Sequence, residues 1–66
     1  MNVVVNGESR QVPDGRTVRQ LIADEGLAGR AVAVELNKAL VPKKAHDATP
    51  LREGDVVELV TLVGGG

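Results

Sequence analysis

Three glycines, Gly64-Gly65-Gly66, stand directly behind the β-branched, apolar run VTLV. Glycine has no Cβ, so such a segment is thin, flexible and unable to pack on its own domain. It can thread a narrow channel in another protein and present there a group that only a chain end offers, a carboxylate. Activated as an acyl-adenylate, the Gly66 carboxylate becomes an electrophile. The bareness of Gly65 and Gly64 then lets ATP and an attacking sulfur or nitrogen approach closely. A domain behind such a tail needs no catalytic side chain of its own. The same residues also fit a disordered end or a linker, and the glycines alone do not decide between these readings.

The rest of the chain offers little reactive chemistry. There is no cysteine, which excludes disulfides, a thiolate nucleophile and thiolate zinc sites. His46 is the single histidine and sits beside Asp47 in a polar stretch. It has no second ligand or acid–base partner in view, so it reads as a surface histidine. Ser9, Thr17, Thr49 and Thr61 are the only hydroxyls, and none has a histidine close in sequence. Asp24-Glu25 reads as a solvated helix face. Lys43-Lys44 reads either as a solvated loop or as a docking contact for an acidic partner. Neither a GxxxxGK[ST] nor a GxGxxG spacing occurs, so no phosphate loop is expected and no metal or cofactor bound by the chain itself.

Composition narrows the partners further. Eight basic residues face nine acidic ones for a net charge of −1, and Phe, Tyr and Trp are absent. That leaves neither a basic footprint for nucleic acid nor a stacking platform for single strands. No apolar run approaches a membrane span, and the N-terminus lacks a basic region followed by an apolar one. The expectation is a cytoplasmic protein with no membrane contact. Sixty-six residues make one domain with a small core, whose stability should be a few kcal/mol.

What could position such a tail is legible in the periodicity. NVVV at 2–5, the turn dipeptide Asn6-Gly7 and the more polar 8–12 predict a hairpin. Pro13-Asp14-Gly15 predicts the next turn. Val18, Leu21 and Ile22 then follow helical spacing, with Thr17 as N-cap and Gly26 just past the end. AVAVELN at 31–37 alternates as a strand. A brief edge segment follows at Leu40-Val41-Pro42, because Pro42 cannot donate to a ladder. Residues 43–50 are expected to be irregular, Leu51 to anchor them to the core, and 56–63 to form the last and longest strand. The order is hairpin, helix, two strands, final strand: an α+β, ββαββ mixed sheet packed on one helix, with the first and last strands paired in parallel. This is the β-grasp arrangement of ubiquitin-like proteins. Residues 1–63 form the domain and 64–66 the tail.

The last strand is apolar on both sides. Val57, Leu59, Thr61 and Val63 point one way, and Val56, Glu58, Val60 and Leu62 the other. One helix can cover only one face. Val60, Leu62 and Val4 are therefore expected in an exposed apolar patch leading to the tail, with Gly64 in the same partner-binding surface.

Several stretches carry a resemblance over essentially the whole length. They are VNGE at 5–8, VPDG at 12–15 with TV at 17–18, VAVELN at 32–37, LVP at 40–42, L-x-EGD at 51–55, VE at 57–58 and the terminal glycines. In this order and spacing the chain resembles the sulfur carrier family of thiamine biosynthesis. The resemblance implies an E1-like adenylyltransferase that uses ATP and magnesium to adenylate Gly66. A sulfur donor such as a cysteine desulfurase would then supply the thiocarboxylate, and thiazole synthase would consume it. Family members end in two glycines; Gly64 makes a third here. The small subunit of molybdopterin synthase is similar in fold and tail, but such chains are longer and richer in Phe. A modifier that conjugates to lysine, or a non-catalytic β-grasp binding module, would fit the same element order. An enzyme in its own right is not expected.

Overall fold

Asn6 and Gly7 both take positive φ, 50° and 81°, as a two-residue hairpin turn of the primed type requires. They join β1 (Asn2–Val5) to β2 (Glu8–Gln11) in an antiparallel pair with Val5 opposite Glu8. The structure, a computed structural model, describes residues 1–62.

Thr17 starts the helix α1 (Val18–Asp24). Its hydroxyl accepts from the Gln20 amide at 3.2 Å, while the Gln20 side chain accepts from the Thr17 amide at 2.9 Å. This reciprocal box satisfies two amides that the first turn would otherwise leave unpaired. Gly26, at φ 78°, takes the left-handed conformation that ends the helix. Val18, Leu21 and Ile22 form its buried stripe.

The remaining strands are β3 (Val32–Leu36), β4 (Ala39–Val41) and β5 (Val56–Thr61). The short edge segment is thus a strand in its own right, and the mixed sheet has five strands in the order β2-β1-β5-β3-β4. Parallel pairing sets Val4 beside Val56 and Val5 beside Val57, so the longest strand runs down the centre. Its other edge pairs antiparallel with β3, from Leu36 opposite Val57 to Val32 opposite Thr61. Val3, Val5, Val34 and Val57 on one sheet face pack with Val18 and Leu21 of the helix, all essentially without exposure. With one helix on one face, nothing among the described residues covers the other.

The long connection departs from expectation. Lys43–Ala45 form a single 3-10 turn, and His46, expected at the surface, is only 8% exposed. The turn carries the ring back beneath the end of β4, where Nε2 lies 3.1 Å from the Val41 carbonyl oxygen. That oxygen can only accept, so Nε2 carries the hydrogen. The carbonyl of His46 in turn accepts from the Arg19 amide at 3.0 Å. The residue is a pin between the loop and the helix, satisfied by backbone on both sides. Leu51 is buried as expected, and its amide donates to the Arg16 carbonyl at 2.7 Å.

Candidate functional site

Alternation places Val56, Glu58, Val60 and Leu62 on the uncovered side of the sheet, opposite to Val57 and Leu59, which enter the core. Val60 is 57% exposed and Leu62 58%. Leu62 is the last described residue, and its amide donates to the Ala31 carbonyl at 2.9 Å. Val60 stands opposite Ala33 on β3. An apolar surface therefore lies at the end of the described chain. Gly64, Gly65 and Gly66, with Val63, lie outside the described residues.

Val4 is placed elsewhere. It is half-buried and sits beside Val56, four positions before Val60 and so about 13 Å away along the strand. Glu58 lies between the two apolar ends and faces Glu35 across the β3–β5 register, both exposed. Like charges directly opposite are mildly destabilising. Leu40 on β4 faces Glu35 and is the most exposed large apolar residue among those described, at 71%. The sequence reading missed it. A single Leu before Val-Pro carries no alternation that would distinguish the open face from the core.

Two asparagines, read in sequence as turn residues only, fix the central strand. At the end of β1 the Asn6 side chain continues the ladder: its Oδ1 accepts from the Leu59 amide at 2.7 Å and its Nδ2 donates to the Leu59 carbonyl at 3.1 Å. Asn37, at φ 51°, accepts from the Val56 amide at 2.9 Å and donates to Asp55 at 3.0 Å. Both tolerate a left-handed backbone because a short amide can bond locally. The amide side chain is the signal that glycine at the same place would not carry.

Charges around the helix divide into satisfied and unsatisfied sets. Arg10 bonds Glu8 and Glu25, and Arg16 forks onto Asp24 with Nε at 2.9 Å. The Arg16 bond holds the Asp24 carboxyl below the usual carboxylate range. No group of three or more His, Cys, Asp or Glu side chains that could hold a metal ion occurs among the described residues, and no helix there is long and apolar enough to cross a membrane. Among the described residues, the polar side chains that could take part in chemistry on the open face are the Glu35 and Glu58 carboxylates and, opposite Val4, the exposed Ser9 hydroxyl. The arrangement offers an exposed apolar surface of the kind that other proteins contact.

Comparison with known proteins agrees with this geometry. Residues 3–66 match the model of the ThiS family. A sulfur carrier protein ThiS of Thermus thermophilus is 39% identical over 64 residues, covering 97% of this chain and 98% of that one. A thiazole synthase of Paramagnetospirillum magneticum is 39% identical over 66 residues. The chain spans about a fifth of the length of the thiazole synthases it matches, 20% in each case. The crystal structure of the thiamine biosynthesis protein ThiS from Geobacter metallireducens superposes with a TM-score of 0.83 at 36% identity, covering 100% of both chains.

Proposed function

Because the chain belongs to the ThiS family, we propose that it carries sulfur as a thiocarboxylate on Gly66 for thiazole formation in thiamine biosynthesis. An E1-like adenylyltransferase joins the Gly66 carboxylate to AMP, using ATP and magnesium and releasing pyrophosphate. The terminal sulfur of a persulfide, from a cysteine desulfurase or similar donor, then displaces AMP to form an acyl disulfide, and a thiol reductant cleaves its S–S bond to leave the thiocarboxylate. Thiazole synthase takes that sulfur, and the carboxylate returns. The chain is co-substrate throughout and works in the cytoplasm. Gly65 and Gly64 give the slimness that a deep cleft demands, and Val60 and Leu62 give the partner an apolar surface at the root of the tail.

The observation that carries this reading is the end-to-end match with a relative named sulfur carrier protein, 97% of this chain against 98% of that one. The likeness of the same segment to part of proteins named thiazole synthase supports the choice of acceptor. Intact-mass measurement after incubation with adenylyltransferase, ATP, magnesium and a sulfur donor tests it. The expected result is a gain of about 16 Da, one oxygen exchanged for sulfur on the activated carboxylate. A chain extended by one residue after Gly66 should stay unconverted. No gain with partners that convert another family member would overturn the proposal.

A further inference from the structure

On the helix side of the sheet, α1, residues 28–31 and the 3-10 turn enclose a half-open groove of about 990 Å³. Clefts for small ligands run to roughly 300–1,000 Å³, so this one has room for an extended occupant. Arg19, Arg30, Lys43 and Lys44 line it, half of the eight basic residues in the chain, with Asp47 as the single acid. All four cations are exposed. Among the described residues none of them forms an ion pair, whereas Arg10 and Arg16 are tied to carboxylates. A chain of net charge −1 thus gathers a local positive excess in one concave place. Between the charges, Ile22, Ala23 and Ala28 give the groove an apolar lining.

We propose that this groove docks an acidic, amphipathic peptide segment of a partner protein, its carboxylates on the four cations and its apolar side chains on Ile22 and Ala28. A phosphate site would call for free backbone amides converging on the anion. Three of the amides that line the groove, those of Arg19, Arg30 and His46, are already bonded to the His46, Leu27 and Lys43 carbonyls. With no Phe, Tyr or Trp in the chain and the His46 ring buried, a nucleobase has no exposed ring to stack on. Recognition falls to long, flexible cationic side chains, which suit carboxylates spaced along a peptide. Position adds a reason. Ala31 lines the groove, and its carbonyl holds the Leu62 amide. A segment seated in the groove therefore lies beside the Ala31–Leu62 bond, on the side away from Val60. The site does not depend on sulfur chemistry.

The test is an amide-resolved NMR titration of the full chain, at low salt, with a synthetic peptide of alternating Glu-Glu-Leu triplets. Parallel titrations use inorganic phosphate and pyrophosphate. Saturable shifts are expected at residues 19–23, 28–31 and 43–47, with little change on the open face at 33–35 and 58–60. Reversal of charge in K43E/K44E should weaken the peptide by at least about tenfold. These side chains are exposed, so circular dichroism should show the fold kept; R19A/R30A offers a second variant should it not. Shifts scattered over the whole surface, or equal affinity in both variants, would overturn the assignment. Saturation by phosphate without saturation by the peptide would overturn it too, in favour of a small-anion site.

Discussion

Leu59 and Val60 are neighbours on the central strand, and they answer to different demands. Leu59 is buried with Val57 beneath the helix, while Val60 is more than half exposed on the uncovered face. Both are apolar and both sit in the same ladder opposite β3, Leu59 facing Val34 and Val60 facing Ala33. The difference between them is what lies beyond. One face has a helix, and its side chains are chosen by volume. The other has nothing among the described residues to cover it, and its side chains contribute little to holding the fold. An apolar residue kept where it stabilises nothing internally points to a surface completed by another molecule.

The largest test of that contrast is a pair of truncations one residue apart. Leu59→Ala should destabilise the domain by about 2–5 kcal/mol, the transfer loss plus the cavity left behind. A domain of this size has little more than that to lose, so most of the variant should be unfolded at 37 °C. Val60→Ala should lie within about 0.5 kcal/mol of the parent, yet slow conversion by the adenylyltransferase. Urea denaturation followed by circular dichroism reads the first effect, and the rate of mass gain the second. If Val60→Ala proved as unstable as Leu59→Ala, the open face would be part of the core and the contrast would vanish.

Sequence alone revealed one side of this division better than the other. The core face was readable because burial repeats: Val18, Leu21 and Ile22 recur at helical spacing, and Val57 and Leu59 at strand spacing, and both patterns meet in one cluster. Val60 and Leu62 could be placed on the open face by counting alternate residues in a sheet with only one helix. Leu40 could not, because three residues of strand are too few to carry a period. His46 was misplaced for a related reason. Its burial depends on a 3-10 turn that brings the ring back to Val41, and no local pattern encodes that return. Asn6 and Asn37 were legible as turns but not as clamps, since their partners lie 53 and 19 positions away in sequence.

A middle-sized effect should come from the clamp that holds the two-faced strand in register. Asn6→Gly keeps a residue able to adopt φ 50° and removes only the side chain. Leu59 then loses partners for both its amide and its carbonyl. Leaving such partly buried groups unsatisfied costs about 1–3 kcal/mol. Hydrogen exchange localises the loss: the Leu59 amide should be protected in the parent and exchange fast in the variant, while Val34 remains protected. Unchanged exchange at Leu59 would mean that pairing with β3 alone fixes the strand, and that Asn6 serves only the turn.

The smallest effect concerns the two carboxylates that interrupt the open face. Glu35 and Glu58 stand directly opposite each other, exposed, with no ion pair to either among the described residues. Facing charges of one sign on adjacent strands oppose pairing. A face tuned only for stability would not place them there. Neutralising one, as in Glu35→Gln, should therefore raise stability, by about 0.2–1 kcal/mol. The gain should shrink in 1 M salt, where charges are screened over about 3 Å. Thermal melts of parent and variant at low and high salt decide it. A salt-sensitive rise marks the open face as held below its stability optimum, in contrast to the core face, where any truncation is a loss. A fall at low salt would mean the glutamates are supported by contacts of their own, and the two faces would then differ in exposure but not in what selected their residues.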